Sequence, residues 1–284
     1  MALRSFSRTS AREGKRAVIR VGICGAAGRM GKTLIAACDQ AAELVFSAAL
    51  DRPGAACIGM DAGEIAGIGP RGIKVTADLQ GFLQHLDVVV DFSHPEASKR
   101  HAVACAEEKK RMVIGTTGLS DEQKRALSDA AQLIAIVFAP NMSVGVNLCL
   151  KLLETAAEVL GDEFDVEILE AHHRQKIDAP SGTALRMGEV VAKALGRKLS
   201  DCAVYGRQGQ IGERDSKAIG FATVRAGDIL GEHTVMFAGA GECIEFVHKV
   251  SSRQTFASGA LRAARWVVQR EQGLFDMQDV LGLR

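Results

Sequence analysis

The residues with the clearest chemical potential lie in one stretch, Glu170 to Ala184, with the sequence EAHHRQKIDAPSGTA. His172, His173, Arg174 and Lys176 place two imidazoles and two cations within five residues. Histidine can donate a proton near neutral pH, and lysine or arginine can hold a carboxylate or stabilise developing negative charge. In an extended backbone His172 and His173 point to opposite sides, so they are not expected to share one role. The stretch favours a pocket for an acidic ligand beside a proton donor.

This stretch ends in Ser181, Gly182 and Thr183, directly before a helical pattern from Ala184 to Leu195. Serine is a favoured residue before a helix, and the first amides of a helix have no partner within it. A helix start is therefore a suitable place to bind a carboxylate. A basic surface loop followed by a capped helix would use the same residues, so both interpretations stay open on this evidence.

No metal centre is expected here, because adjacent histidines rarely bind one ion and no carboxylate or cysteine has the usual partner spacing. The seven cysteines are odd in number, scattered and without a C-x-x-C motif, which argues against a disulfide framework or a thiolate zinc site. Buried thiols in a reducing, cytoplasmic setting are expected instead. A structural role is expected for the remaining histidines, His85, His94, His101, His233 and His248.

A second candidate site is the glycine-rich turn GAAGRMG, from Gly25 to Gly31. It follows a buried strand pattern, Val18 to Cys24, and leads into a helical pattern, Arg29 to Gln40. Glycines at these positions allow a tight turn and let main-chain N–H groups approach a pyrophosphate at the helix N-terminus. Glycines also mark ordinary strand-to-helix turns, but the place in the first strand–helix unit favours dinucleotide binding.

Asp51 lies twenty residues past Gly31, at the end of the second strand pattern. An acid at this place can accept hydrogen bonds from the adenosine ribose hydroxyls, which favours NAD. The adjacent Arg52 can instead meet the 2′-phosphate of NADP. The pair therefore predicts that both NADH and NADPH are used.

Two further turns follow short strand patterns: Gly115-Thr116-Thr117-Gly118 and Ala139-Pro140-Asn141-Met142. Both stand at carboxyl ends of strands, where ligands bind in open α/β sheets. On the residues alone, a ligand-binding loop and a plain strand-to-helix turn are equally good interpretations of each.

The elements that position these residues change character after Asn141. Before it, short apolar strands alternate with helices, which predicts a parallel sheet covered on both faces. Strands are expected at Leu44–Leu50, Ile73–Val75, Asp87–Phe92, Met112–Ile114 and Ile134–Phe138, and helices at Pro95–Lys110 and Ser120–Ala131. After it, a long helix (Ser143–Leu160) precedes strands at Phe164–Ala171, Ile219–Arg225, His233–Ala238 and Cys243–Val250, and a helical tail follows from Thr255 to Gln269. The fold class is α/β, with a second α+β region built on a mixed or largely antiparallel sheet.

Composition excludes several classes of function. The 35 basic and 34 acidic side chains leave a net charge of +1, which gives no whole-chain field for nucleic acid. No apolar run reaches the roughly 18 residues that a membrane span needs. Residues 1–17 carry five basic side chains against the single acid Glu13. They are expected to form a flexible basic arm, with an organelle transit peptide as the alternative.

Five motifs together resemble the 4-hydroxy-tetrahydrodipicolinate reductase family, formerly called dihydrodipicolinate reductases. They are GAAGRMG at Gly25, GTTG at Gly115, EAHHRQKIDAPSGTA at Glu170, GFATVRAGDI at Gly220 and GLFDM at Gly273. The third motif is far more specific than a glycine-rich turn, and the resemblance covers about Val18 to Leu281.

The resemblance implies an enzyme that uses NADH or NADPH to reduce the cyclic dicarboxylate 4-hydroxy-tetrahydrodipicolinate, with loss of water, in diaminopimelate and lysine biosynthesis. It implies a Rossmann-type dinucleotide-binding domain built from both chain ends, residues 18–142 and 253–284. A central domain, residues 143–252, would bind the substrate and assemble homotetramers.

The resemblance also implies roles for single residues. His172 matches the proton donor, Lys176 matches the cation that holds substrate and stabilises charge, and His173 matches a substrate contact. Ser181, Gly182 and Thr183 match the carboxylate-binding turn. The positions implied for the cofactor are Gly25, Ala26, Ala27, Gly28, Arg29, Met30, Asp51, Arg52, Gly115, Thr116, Thr117, Ala139, Pro140, Asn141 and Met142. Asp51 stands where the family often has glutamate.

Two other classes of protein are weighed against this one. A Rossmann oxidoreductase for a different acidic metabolite has no need of the specific stretch from His172 to Ala184. A non-enzymatic dinucleotide sensor has no need of a proton donor beside a carboxylate-binding helix start.

Overall fold

The computed structural model describes residues 18–284, so the predicted basic arm, residues 1–17, lies outside the described residues. From residue 18 to residue 142 strands and helices alternate, as the sequence predicts. The elements are β1 (Ile19–Cys24), α1 (Arg29–Asp39), β2 (Leu44–Leu50), α2 (Ala62–Ile65), β3 (Val75–Thr76), α3 (Leu79–Leu83), β4 (Val88–Asp91), α4 (Pro95–Glu107), β5 (Arg111–Ile114), α5 (Asp121–Ala130) and β6 (Ala135–Phe138).

The central part of the chain begins with the longest helix of the described residues. Its elements are α6 (Val144–Leu160), β7 (Asp165–His172), α7 (Gly182–Ala194), α8 (Leu199–Cys202), β8 (Ala203–Tyr205), β9 (Ile219–Arg225), β10 (Gly231–Ala238) and β11 (Cys243–Val250). β7 extends one residue beyond its predicted end and includes His172. β10 starts two residues before its predicted start, because Gly231 pairs with Val250 on β11.

The chain then returns to the first sheet through α9 (Gln254–Val267), β12 (Gly273–Phe275) and α10 (Met277–Leu281). β12 pairs in parallel with β6, and α9 packs against α1, β4 and β5. Both ends of the described chain thus contribute to one unit. Between residues 18 and 284, no helix is both long and apolar enough to cross a membrane.

The first sheet has the strand order β12-β6-β5-β4-β1-β2-β3, and all of its strands are parallel. Val88 and Val90 enter the apolar core on one face, and Val89 enters the core on the other. This two-sided burial explains why β4 is apolar without alternation. The connections leave in opposite directions from β1 and β4, and such a reversal creates a crevice at the carboxyl ends of the strands.

The second sheet has the order β11-β10-β7-β9-β8 and is mixed, because β7 runs antiparallel to β10 and parallel to β9. α6 and α7 cover one face, where Ile168, Val235 and Met187 share a buried core. The other face is open and carries apolar side chains such as Leu169 and Val247. The α/β fold class with a second mixed sheet is confirmed.

Candidate active site

The glycine-rich turn connects β1 to α1 and is held by the neighbouring strand. The amides of Gly25 and Ala26 donate to the carbonyl of Leu50 at 2.9 and 3.1 Å. A side chain at Gly31 would overlap the carbonyl oxygen of Gly25, so only glycine allows α1 to pack this closely on the turn. Such packing is the role of the last glycine in dinucleotide-binding turns.

Asp51 follows β2 directly and is tied to the same turn. One of its carboxylate oxygens accepts from the amide of Ala27 at 2.9 Å, and the other accepts from the amide of Arg52 at 2.8 Å. A carboxylate offers about four acceptor sites, so further hydrogen bonds remain available. Asp51 and Arg52 line a cavity of about 350 Å³ together with Gly25 and Gly28. The turn and the acid therefore face one space.

Helix α4 forms the opposite wall of this cavity through Arg100 and His101. Asp91, at the end of β4, is fully buried and lies 2.8 Å from Nδ1 of His101, while its other oxygen accepts from the amide of Ser93 at 2.9 Å. The Cys24 thiol sulfur, a carboxylate oxygen of Asp91 and a ring nitrogen of His101 all lie within 4.8 Å of one another. The expected absence of a metal ion stays a prediction.

A larger cleft of about 930 Å³ lies between the two sheets and is lined by both. Its residues from the loops after β5 and β6 are Thr117, Ala139, Pro140 and Asn141, and those from the central region include His172, Lys176, Ser181, Gly182 and Thr183. The side-chain amide of Asn141 donates to the hydroxyl of Thr183 at 3.1 Å, which links the loop after β6 to the start of α7. Residues that are far apart in the sequence thus share one space.

His172 ends β7 and lies at the edge of this cleft, with a side chain that is 10% exposed. Its Nδ1 is 2.6 Å from a carboxylate oxygen of Glu170. The two side chains lie on the same face of the sheet, because residues two apart on a strand point the same way. Burial lowers the pKa of His172 below its ordinary value, and the hydrogen bond to Glu170 opposes this shift.

Glu170 is almost completely buried and is surrounded by donors. Arg225 of β9 donates to both of its oxygens at 2.8 Å, and the hydroxyl of Thr223 and the amide of Ser181 each donate at 3.1 Å. Burial alone would raise the pKa of Glu170, but the bonds from Arg225 and His172 hold it below its ordinary value. The carboxylate is therefore ionised and fixed beside the imidazole.

Lys176 projects into the cleft from the loop between β7 and α7. Its Nζ lies 2.8 and 2.9 Å from the two carboxylate oxygens of Asp178. Burial raises the pKa of Asp178, but the bond from Lys176 brings it below its ordinary value. A dicarboxylate entering the cleft would compete with Asp178 for this ammonium group.

Helix α7 points its N-terminus at the cleft. Ser181 is its N-cap, and the serine Oγ accepts from the amide of Ala184 at 3.2 Å. The same Oγ lies 3.0 Å from Nε2 of His233. Because the amide of Ser181 donates to Glu170, the amides of Gly182 and Thr183 are the ones left to face an anion.

Some predicted cofactor residues lie behind the cavity surfaces. Ala26 and Met142 are core residues, 0% and 1% exposed. The hydroxyl of Thr116 lies 2.8 Å from that of Ser98 and accepts from the amide of Ser93, so Thr116 supports the wall rather than lining it. Five other predicted residues line neither of the two cavities described above: Ala27, Arg29, Met30, Gly115 and His173.

Two groups of residues escaped the sequence analysis. Thr223 and Arg225 were noticed only as part of a motif, although their spacing of two on a strand places both on one face. That spacing is a signal that could have paired them with Glu170 and His172. The α4 wall carried no signal of a site beyond ordinary helical periodicity: Arg100 was not singled out, and His101 was expected to be structural.

Comparison with known sequences decides the family. The profile described as dihydrodipicolinate reductase, N-terminus, matches residues 19–142, and the one described as dihydrodipicolinate reductase, C-terminus, matches residues 145–281. The chain belongs to the dihydrodipicolinate reductase family. The 4-hydroxy-tetrahydrodipicolinate reductase of Methylococcus capsulatus (strain Bath) is 60% identical over 269 residues, which is 94% of this chain and 99% of the relative.

Solved structures agree with membership of the dihydrodipicolinate reductase family. A dipicolinate-bound dihydrodipicolinate reductase from Paenisporosarcina sp. TG-14 aligns with a TM-score of 0.73 at 27% identity, over 92% of this chain and 98% of that one. A probable dehydrogenase from Thermotoga maritima aligns with a TM-score of 0.58 at 13% identity, over 93% of each chain, and shows the fold alone. Family membership confirms the prediction of an oxidoreductase with a Rossmann-type domain and a nicotinamide cofactor.

Proposed function

We propose that this chain reduces 4-hydroxy-tetrahydrodipicolinate to tetrahydrodipicolinate, with loss of water, in diaminopimelate and lysine biosynthesis. The observation that carries the proposal is the cleft in which His172, Lys176 and the start of α7 face the loops after β5 and β6. A proton donor, a cation and free helix amides suit a substrate with two carboxylates.

In this proposal His172 is the proton donor. Its Nδ1 is bonded to Glu170, so Nε2 is the nitrogen left to transfer a proton to the substrate. Lys176 leaves Asp178 to bind a substrate carboxylate, and the amides of Gly182 and Thr183 bind the substrate through the helix start. Ser181 fixes that helix start by capping it. The family resemblance adds a substrate contact from His173, whose side chain does not line the cleft without a ligand.

The cofactor supplies a hydride to the substrate when it is bound. The turn from Gly25 to Met30, with Asp51 and Arg52, would hold its adenosine and pyrophosphate part beside the 350 Å³ cavity. Residues Gly115 to Thr117 and Ala139 to Met142 would lead the nicotinamide end toward the larger cleft, which Thr117 and Ala139 line. Asp51 suits a free ribose and Arg52 suits a 2′-phosphate, so both NADH and NADPH are proposed as cofactors.

Each sheet belongs to a domain with its own proposed function. Residues 18–142 and 253–284 would form the dinucleotide-binding domain, and residues 143–252 would bind the substrate and form a homotetramer. The open face of the second sheet supports assembly, since Leu169, Val224 and Val247 are 41%, 52% and 50% exposed. Light scattering should give four times the 30.2 kDa chain mass, and a monomer would contradict the assembly. A cytoplasmic location belongs to the same proposal, in keeping with seven free cysteines.

A coupled assay tests the reaction directly. Substrate is generated from pyruvate and aspartate semialdehyde, and the oxidation of NADH or NADPH is followed by absorbance. The protein should oxidise either cofactor only when the dicarboxylate is present, and Lys176→Ala should lower kcat/KM by about 100-fold, near 2.7 kcal/mol. Tight NADH binding without turnover would refute the proposal and favour a dinucleotide sensor.

A further inference from the structure

The imidazole of His172 is held on three sides. Its Nδ1 lies 2.6 Å from Glu170, and its ring meets that of His233 edge-on, with ring centres 5.1 Å apart. On the third side lies Gly231 of β10, where a Cβ atom would be 3.1 Å from Nε2 of His172. A side chain at Gly231 would crowd the nitrogen that is free to react. These contacts fix the ring in one orientation, with Nδ1 on Glu170.

Glu170 is itself unable to move away from the ring. It is 3% exposed and accepts from Arg225, Thr223 and the amide of Ser181 in addition to His172. These donors come from β9, from the start of α7 and, for His172, from β7, so three elements fix one carboxylate. An ionised carboxylate accepts hydrogen bonds and has no proton to donate. In the pair with Glu170, the proton must therefore be on Nδ1 of His172.

We propose that Glu170 is the positioning residue for His172: it keeps the proton of the neutral imidazole on Nδ1, directs Nε2 to the ligand and stabilises the imidazolium. The inference deepens the proposed function, because it rests on His172 being the proton donor. Glu170 would act through His172 and would not touch the substrate.

The charges around His172 show why the carboxylate matters. Burial lowers the pKa of His172, and the cations Lys176 and Arg225 lower it further, whereas Glu170 raises it. His233, on β10, is neutral at pH 7, because burial and the neighbouring His172 lower its pKa to about 4. Among the charged groups of residues 18–284 that face the ring, Glu170 is thus the one that favours the protonated donor.

Strand β7 offers a matched control for this role. Glu167 lies three residues before Glu170 and is also clamped by arginines, since Arg207 donates to it at 2.8 Å and Arg214 at 3.0 Å. Its side chain lies on the other face of the sheet from His172. Glu170→Gln and Glu167→Gln therefore each remove one carboxylate charge from an arginine clamp, although Glu170 is 1% and Glu167 26% exposed, and only the first touches the donor.

The first readout is the pH profile of kcat in the two variants. An enzyme that needs a protonated donor loses activity as pH rises through the pKa of that donor, which gives the profile a high-pH limb. In Glu170→Gln this limb should shift to lower pH by about 1–2 pH units, because the carboxylate that raises the pKa of His172 is lost. Above both pKa values the rate should then fall by about 10–100-fold. Glu167→Gln should leave the limb in place. A Glu170→Gln protein that folds and keeps the wild-type limb would overturn the proposal.

The second readout is the protonation state of His172 in the unaltered protein, so it does not depend on a variant folding. Nitrogen-15 labelling of the seven histidines, with His172 assigned by its loss in His172→Gln, reports which ring nitrogen carries the proton. A proton on Nδ1 of neutral His172 is expected, and a proton on Nε2 would contradict the inference. If the proton is on Nδ1 but His172→Gln turns over normally, His172 is not the proton donor and the positioning role of Glu170 is overturned. Failure of the proposed function is distinct, because the wild-type protein would then not oxidise NADH or NADPH with the dicarboxylate.

Discussion

Two buried carboxylate–imidazole pairs occur in the described residues, one beside each sheet. Asp91 and His101 are 2.8 Å apart at the end of β4, and Glu170 and His172 are 2.6 Å apart at the end of β7. Each carboxylate is almost inaccessible, and each imidazole side chain is 10% exposed. The local chemistry of the two pairs is therefore nearly the same.

Their surroundings differ. Asp91 is held by Ser93 and Thr116, and His101 lines a cavity within the first sheet's own unit. Glu170 is held by Arg225, and His172 opens on the cleft between the two sheets, beside Lys176. A hydrogen-bonded pair becomes a proton donor only where a substrate and a charge partner can meet it. We therefore expect the first pair to maintain structure and the second to carry out chemistry.

The largest expected effect separates the two pairs directly. His172→Gln should lower kcat by about 10²–10⁴-fold, because it removes the proton donor. His101→Gln, its matched control, keeps a donor for Asp91 and should leave kcat within about threefold at saturating cofactor. Steady-state kinetics on both folded variants decide the matter. Equal losses in the two variants would remove the distinction between the pairs.

A second effect concerns the extra imidazole beside the Glu170 pair. The pKa of His233 is lowered by burial to about 4, so the unfolded chain takes up this proton first as pH falls below 6.5. The contribution of neutral His233 to the free energy of unfolding is fully present above pH 6.5, and about 3 kcal/mol of it should be lost by pH 4. Urea unfolding of wild type and His233→Gln should show a steeper loss in wild type over this window. Parallel curves would mean that His233 titrates normally in the folded protein.

The next effect tests whether the Asp91 pair is structural. Asp91→Asn should lower the free energy of unfolding by about 2 kcal/mol, because it weakens charge-assisted hydrogen bonds in a buried site. Asp87→Asn at the other end of β4 breaks a half-exposed pair with Arg20 and should cost less than about 1 kcal/mol. Chemical denaturation measures both, and a reversed order would show that the buried pair contributes little.

The smallest effect concerns the cofactor end of the molecule. Arg52→Gln should raise the KM for NADPH by about 10-fold, near 1.4 kcal/mol, because a cation beside the ribose is lost. The KM for NADH serves as the internal control and should change by less than about twofold. An equal rise for both cofactors would place Arg52 at the pyrophosphate or adenine instead.

The sequence predicts those parts of the molecule that depend on local pattern. Val88 to Val90 indicated a strand buried on both faces, and the turn from Gly25 to Gly31 indicated a first strand–helix unit. Several short elements were missed, among them β12 with three residues and α2 with four. Elements of that length show no periodicity and form because β6 and the Asp61 cap support them.

The site shows the same division. His172 and Lys176 could be named from one motif, because their chemistry and spacing are local. The pairing of Glu170 with Arg225 depends on the register of β7 with β9, which joins residues 55 positions apart. Likewise, the hydrogen bond from Asn141 to Thr183 depends on how the two sheets pack. Such contacts are tertiary and have no signature in a single sequence.

A crystal structure with NADH and dipicolinate bound would test the central claim most directly. We expect Nε2 of His172 and Nζ of Lys176 within about 3.5 Å of the dicarboxylate, beside the nicotinamide ring. Nδ1 of His172 should stay on Glu170, and Lys176 should have left Asp178. A ligand bound elsewhere, with Lys176 still paired to Asp178 and His172 facing no reacting group, would contradict it.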